Sequence, residues 1–456
     1  MKVQVLLPKI FNFTFTYNID HKKNYKKGDV VEIPFGSKKE IGVIWKNNYS
    51  EPKNIKIKYI LKKTNYSIDK KLVDFIEWFS IYNMVPIGLT LKMVIGSNDK
   101  FVKKNDNFIN FKKTKSKKYF LNKEQISALK FLETTKNKFD VSVLQGTTGS
   151  GKTLVYFERI KKIISNNKQA LVLLPEIFLT NDFKFRFEDF FGFEPAIWHS
   201  KITPKQKRII WKGVINNEIK ILVGARSALL LPFKKLGIII VDEEHDTSYK
   251  QDEGVIYNAR DMAISRASFE NIPINLITAV PSIETYENVK KGKYSISRLE
   301  KRYQNASLPN YEIINLNETK LEKQSWLSKK IIDKVNSHLD KNDQVLFFLN
   351  RRGFSPNVFC NKCFNTYSCP NCSINLVYHK NKNNLLCHYC GFKSLLKRNC
   401  AKDKYCEFIF SGPGVERIFE EVKKNFPSKI IEIFSSDTMN KKDSSKKLEK
   451  IINNEV

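Results

Sequence analysis

Gly146-Thr147-Thr148-Gly149-Ser150-Gly151-Lys152-Thr153 follows directly on the apolar run Val141-Ser142-Val143-Leu144-Gln145. A strand that runs into a glycine-rich turn and then into an apolar helix start, here Leu154, Val155 and Phe157, is the layout of a phosphate-binding loop. The spacing has a mechanism. Gly146, Gly149 and Gly151 let backbone N–H groups curl round phosphates, with Thr147, Thr148 and Ser150 completing the loop; Lys152 reaches the β- and γ-phosphates, and Thr153 holds Mg²⁺. The stretch predicts a nucleoside triphosphate site in which Lys152 serves catalysis as well as binding.

About ninety residues on, Leu236-Gly237-Ile238-Ile239-Ile240-Val241 is a continuous apolar run of the kind buried on both faces of a parallel sheet, and it ends in Asp242-Glu243-Glu244-His245. An acid at the carboxyl end of such a strand can hold the Mg²⁺ shell (Asp242), and the next can orient and deprotonate an attacking water (Glu243). Asp-Glu-x-His is the helicase variant of this element. Further apolar runs at 139–145, 170–175, 221–224 and 274–279 alternate with helical stretches. That βαβ pattern predicts an α/β fold with a doubly wound parallel sheet over residues 120–310.

The chain has 456 residues and a formal charge of +32, enough length for two to four domains and a charge that points to a polyanionic partner such as nucleic acid. Lys, Asn and Ile are abundant, as AT-rich coding gives, so part of that excess is solvated surface. The opening MKVQVLLPKIFNF lacks a signal-peptide layout and no run of about 18 apolar residues occurs, which predicts a cytoplasmic chain with no membrane partner. Residues 1–96 open with short alternating runs (Val3–Leu7, Phe13–Tyr17, Val30–Ile33) and the turn Pro34-Phe35-Gly36, and predict a small β domain. Residues 97–119 are basic, polar and aperiodic, and predict a linker.

A second α/β unit is expected from 311 to 357, where Leu327, Ile331, Val335 and Leu339 line one helical face ahead of a strand at Val345–Leu349. A cysteine segment at 358–407 interrupts it, and it resumes over 408–456. All eight cysteines fall there as pairs: Cys360/Cys363, Cys369/Cys372, Cys387/Cys390 and Cys400/Cys406. In a reducing compartment such pairs mean zinc rather than disulfides, and eight thiolates make two four-cysteine sites. His379 and His388 share the segment and are expected at the surface or behind the ligands.

Taken together these residues resemble the PriA (primosomal protein N′) family of replication-restart helicases in superfamily 2. The resemblance runs through nearly the whole chain. Its most specific parts are DEEHDTSYKQ (242–251), NARD (258–261), VGARSALLLPF (223–233), LLPEI (173–177) and FLNRRGFSP (348–356) with the cysteine pairs straight after it. VLLPKIFNFTFTYNI and GDVVEIPFGSKKEIGVI resemble the family's domain that binds the 3′ end of a leading strand. The resemblance implies two RecA-like lobes, the second incomplete, and an ATP-dependent 3′-to-5′ DNA helicase that recognises stalled forks and starts primosome assembly.

Implied residue by residue, Gln125 reads adenine; Lys152, Thr153, Asp242 and Glu243 form the ATP site; Phe15, Tyr17 and Gly36 belong to the 3′-end pocket. Arg226 touches single-stranded DNA. Thr247 to Arg260, with Tyr249, Tyr257 and Arg260 itself, matches the aromatic-rich loop linking DNA contact to hydrolysis. In the family the first and last cysteine pairs share one zinc and the two middle pairs the other. Forked and single-stranded DNA, primosome and replicative helicase-loading proteins, and single-stranded DNA-binding protein are the implied partners.

The chain departs from the family in several places. The lobe-one motif of the form GSATPS reads Ile277-Thr278-Ala279-Val280-Pro281-Ser282, Thr16 replaces an acid in the 3′-end pocket, and the last cysteine pair is spaced by five residues. The linker has no room for the family's winged helix. Beyond the pair matched by Asp437-Thr438, the family's lobe-two motif with its γ-phosphate arginines is not found, which predicts slow ATP turnover and an alternative role as an ATP- and zinc-binding fork-DNA scaffold.

Overall fold

The computed structural model describes residues 1–20, 24–46, 57–96, 116–134, 138–175, 181–302, 309–316, 321, 325–351, 353–355, 357–360, 362–363, 365–380, 383–395, 408–434, 447, 450, 451, 453 and 455. The chain forms two compact units, Met1–Leu308 and Pro309–Val456.

The first unit begins with strands β1 (Lys2–Leu6), β2 (Phe15–Asn18), β3 (Asp29–Phe35), β4 (Lys38–Lys46) and β5 (Lys62–Ser67), which make an antiparallel sheet in the order β2-β1-β4-β3-β5. Gly36, at φ +60°, turns the chain between β3 and β4, a left-handed position that suits glycine. Residues 41–45 of β4 are buried in succession because both faces are covered: Val5, Leu7, Tyr17 and Ile33 pack on one, and helices supply the other. Those helices, Lys70–Tyr82 and Ile87–Ile95, were not expected in a small β domain. Asp69 caps the first, and its apolar stripe Leu72, Val73, Phe75, Ile76 and Phe79 joins a core shared with the next domain. Trp211 Nε1 donates to Val94 O at 2.8 Å and Lys71 Nζ to Glu270 O at 2.7 Å, so the β domain is anchored on its neighbour by polar bonds as well.

That neighbour is a seven-stranded, wholly parallel sheet of β6 (Asp140–Gly146), β7 (Gln169–Leu173), β8 (Ala196–Trp198), β9 (Ile221–Gly224), β10 (Leu236–Asp242), β13 (Pro273–Thr278) and β14 (Ser295–Leu299). Its order is β14-β6-β13-β10-β7-β9-β8. Two-residue strands β11 (Lys250–Gln251) and β12 (Tyr257–Asn258) form a small hairpin beside it. The expected strands all form, and β8 and β14 extend the sheet at its edges. All seven residues of β10 are buried, as a central parallel strand requires. The carboxyl ends of β6 and β10 lie on the same edge with β13 between them, the place where an open α/β sheet receives ligands.

In the second unit, strands β15 (Asn357–Cys360) and β19 (Phe408–Ser411) pair antiparallel, and β16 (Val377–His379), β17 (Asn384–Leu386) and β18 (Lys393–Leu395) form a three-stranded meander. Ser328 caps the helix Lys329–Leu339, whose Val335 meets Val422 and Phe426 at the helix Val415–Asn425. The expected strand at Val345–Leu349 does not form. Phe347 packs toward those helices, while Leu346 and Phe348 stand 86% and 85% exposed.

Candidate nucleotide site, DNA-facing residues and cysteine cluster

The phosphate loop is shaped before any ligand arrives. Gly149 and Gly151 both take φ +82°, where a side chain would be strained. A Cβ on Gly146 would lie 2.6 Å from Ser150 Oγ and 3.0 Å from Leu299 Cβ, so close packing selects glycine there. Thr147, Thr148 and Gly149 are exposed at the tip, Ser150 is buried, and Thr153 is half-buried at the start of the helix Lys152–Ser165. Lys152 is buried and donates to Gly146 O at 2.7 Å and Thr147 O at 3.3 Å. Burial lowers the pKa of its ammonium, and Glu243 and Asp242 pull it back up, which places the cation among the carboxylates that share the site.

Gln125 lies next to this loop with a completely buried side chain. Its Nε2 donates to Ser150 O at 3.1 Å, and its Oε1 accepts from Asn122 N at 2.9 Å within a capping box. Both ends of the amide thus brace the loop against the start of the helix Lys123–Glu133.

Asp242 ends β10 with its carboxylate held at both oxygens: Glu243 N donates to Oδ1 at 3.0 Å and Tyr156 OH to Oδ2 at 2.9 Å. Burial, then Glu243, push the Asp242 carboxyl up to about 6. Glu243 sits at φ +49°, a conformation that costs a non-glycine residue free energy and turns the chain sharply at the strand end. His245 Nδ1 shares a hydrogen bond of 2.8 Å with Thr278 Oγ1 and lies 3.7 Å from Glu243 Oε2, so the departure at Thr278 still supplies a hydroxyl to this element.

Glu244 was not singled out in the sequence, yet it is the best-partnered carboxylate here. It is 1% exposed and accepts from Ser282 N (2.8 Å), Ser282 Oγ (3.0 Å), Thr285 Oγ1 (2.9 Å) and Arg260 Nη1 (3.3 Å). Arg260 therefore faces the interior: it is 6% exposed and also bonds Asp261 and Ser282. Burial lowers its pKa, and Asp261, Glu244 and Glu284 more than offset that. Tyr249 is 1% exposed, with its hydroxyl on Asp242 O at 2.6 Å and Leu173 O at 3.0 Å. Tyr257 is buried against Phe79. The side chains read as DNA contacts in this loop are held inside the fold, on the backbone and acids of the nucleotide site. Arg226, half-buried, donates to Lys250 O at 2.7 Å and ties β11 to the turn after β9.

In the β domain, Phe15 stacks edge-on with Phe11 (5.1 Å) and Phe35 (5.2 Å), beside Phe13, which is 57% exposed. Lys9 Nζ lies 5.0 Å above Phe35, and Lys58 donates to Gly36 O at 3.4 Å. Aromatic faces and ammonium groups next to Gly36 suit a base and a phosphate. Tyr17, on the same face as Phe15, lies deeper in the core and donates to Pro34 O at 3.1 Å. Phe11, Phe13, Phe35, Lys9 and Lys58 escaped the sequence reading because nothing in the strand pattern marks which aromatics gather.

Cys369, Cys372, Cys387 and Cys390 bring their sulfurs within 4.8 Å of one another, without a disulfide. Two matching turns hold them. Cys369 O accepts from Ser373 N and Cys387 O from Gly391 N, each at 2.9 Å, with Ser373 (φ +57°) and Gly391 (φ +77°) in the left-handed region. Sulfur separations of 3.4 Å (Cys369 to Cys390, Cys372 to Cys387) and 3.8 Å (Cys372 to Cys390) suit a tetrahedral ion with Zn–S of about 2.3 Å, whose S···S edge is about 3.8 Å. The donor set fits zinc. Cys360 Sγ accepts from Lys362 N and Cys363 N, each at 3.4 Å; Cys400 and Cys406 lie outside the described residues. His379 is buried, not at the surface, and bonds His388 at 2.9 Å and Glu416 at 3.3 Å.

Three family models match the chain: a DEAD/DEAH box helicase over residues 122–289, the PriA 3′ DNA-binding domain over 2–96, and the PriA DNA helicase Cys-rich region over 369–394. The replication restart protein PriA of Rickettsia conorii is 40% identical over 443 residues, covering 95% of this chain and 67% of that protein. Its counterpart from Helicobacter pylori is 32% identical over 432 residues (95% and 66%), and that from Bacillus subtilis 36% over 331 residues (72% and 41%). The chain spans about two thirds of the Rickettsia protein's length. With a 3′ DNA-binding domain, a helicase sheet and a four-cysteine zinc ribbon in that order, the chain belongs to the PriA family of replication restart helicases.

Proposed function

We propose that the chain couples ATP hydrolysis to 3′-to-5′ translocation on DNA at forked structures and so initiates replication restart. The observation that carries this reading is the meeting of the phosphate loop with the strand-end acids at one sheet edge, where Tyr156, on the helix that Lys152 begins, bonds Asp242 and Glu243 N bonds the same carboxylate. Lys152 and the loop N–H groups would bind the phosphates; Thr153 and Asp242 would hold Mg²⁺, which neutralises charge on the β- and γ-phosphates when bound. Glu243, partly exposed at the strand turn, would orient a water and take its proton as the oxygen attacks the γ-phosphate and ADP departs.

On this reading residues 1–96 hold a 3′ end through Phe15, Phe35 and Gly36. Residues 97–119 link that domain to lobe one at 120–310. Lobe two begins at 311–357 and continues at 408–456, with zinc held over 358–407. The middle cysteine pairs hold one zinc; Cys360 and Cys363 with Cys400 and Cys406 hold a second. Primosome and helicase-loading proteins and single-stranded DNA-binding protein are the partners, in the cytoplasm. Tyr249 and Arg260 transmit DNA contact through the interior rather than by touching the strand.

The test is ATP hydrolysis and strand separation measured on a fork with a 3′ leading end and on plain duplex. Hydrolysis stimulated by the fork, with unwinding, is expected. Binding of ATP and DNA without turnover would favour the scaffold reading instead, and equal response to both DNAs would remove fork recognition.

A further inference from the structure

Tyr156 belongs to no motif described above, yet its phenol meets a carboxylate expected to serve the nucleotide's metal ion. It is completely buried on the helix that starts at Lys152, one turn beyond Thr153. Its hydroxyl donates to Asp242 Oδ2 at 2.9 Å. A phenol has one proton, and Asp242 receives it. With Glu243 N holding the other oxygen, Oδ1, Asp242 is fixed in rotamer. Partners that orient metal ligands in this way are worth a factor of about 10 to 100 in metal affinity.

We propose that Tyr156 is a positioning residue for the Mg²⁺ of the nucleotide, setting the carboxylate of Asp242 through the hydrogen bond from its phenol. The inference rests on the reading of Lys152, Thr153, Asp242 and Glu243 as a nucleotide site. Packing alone would not place the ring's single polar atom against a buried carboxylate. Nor is the phenol needed to fill space that a phenylalanine ring would leave empty.

The test is Tyr156→Phe in the full chain, with Mn²⁺ as a paramagnetic probe of the metal position. ADP binding in chelator, followed with a fluorescent analogue, is expected to match the unsubstituted chain, while Mn²⁺ uptake by the ADP complex weakens about 10-fold or more. Tyr156→Phe combined with Asp242→Asn should weaken Mn²⁺ no further than Asp242→Asn alone. Unchanged Mn²⁺ affinity in Tyr156→Phe, or effects of the two substitutions that simply add, would overturn the inference. A Tyr156→Phe chain that fails to fold would do so too, since a hydroxyl that only positions ligands is not what holds the helix in place. Absence of ADP binding by the unsubstituted chain would instead bring down the nucleotide-site reading itself.

Discussion

The nucleotide edge and the cysteine ribbon are both candidate cation sites, but they are built by opposite means. At the nucleotide edge the polar groups rest on a parallel sheet whose central strand is wholly buried, and each carboxylate has protein donors already in place: Tyr156 and Glu243 N on Asp242, and Ser282, Thr285 and Arg260 on Glu244. The fold would persist without its ligand. In the ribbon the buried cluster is Val358, Leu376, Tyr378 and Leu385 with Cys369 and Cys387, so two of its six members are themselves expected ligands. Burial and the neighbouring thiols push Cys372 up to about 12. Here the metal supplies the core that the apolar residues do not.

The largest effect that follows is the response to chelation. Structural zinc contributes about 10 kcal/mol or more to small domains, so stripping it should unfold residues 358–395 while the sheet of residues 140–299 keeps its structure. Hydrogen exchange read by peptide checks both regions at once; a ribbon that stays protected without metal would erase the contrast. Next comes Glu244→Ala, which leaves Arg260 buried with its best-shielded partner gone. Breaking a buried pair costs about 3 to 5 kcal/mol, and the remaining Asp261 and Glu284 should hold the loss of stability in a denaturant titration near the lower figure.

A smaller effect tests the charge on the nucleotide side. The Asp242 carboxyl is raised from 3.8 to about 6, so the metal-free fold favours its protonated form, and that contribution is lost as pH rises through about 6. Asp242→Asn should therefore stabilise the metal-free chain by about 2 kcal/mol at pH 7.5 and hardly at all at pH 4, measured by thermal unfolding. The same substitution stabilising equally at both pH values would mean the carboxylate is not strained by burial. Smallest is Gly391→Ala: the position has open space but φ +77°, and should lose about 1 kcal/mol of zinc-loaded stability.

The two regions also differ in what the sequence disclosed. Continuous apolar runs made the parallel strands legible, and glycine spacing placed the phosphate loop, because burial on both faces leaves no polar alternation. Cysteine spacing located the ribbon. What stayed hidden was the inward direction of polar side chains: Gln125, Tyr249 and Arg260 carry the chemistry of ligand contacts, and only the fold shows them bonded to Ser150, Asp242 and Glu244. Tyr156 was invisible for the same reason, as one more apolar-face residue of a helix. The helix Lys70–Tyr82 was missed where short strands dominated the reading of the first 96 residues. The run Val345–Leu349 has strand composition, but composition does not provide a neighbouring strand to pair with.

The most direct measurement is phosphate release from ATP, with and without forked DNA, by the unsubstituted chain and by Glu243→Gln. Gln keeps the shape of the side chain at the strand turn but cannot accept a proton. DNA-stimulated release by the unsubstituted chain should fall about 10² to 10⁴-fold in Glu243→Gln, with ATP and DNA binding retained. Equal release from both proteins would contradict the assignment of the strand-end acid, and with it the nucleotide site as the engine of the chain.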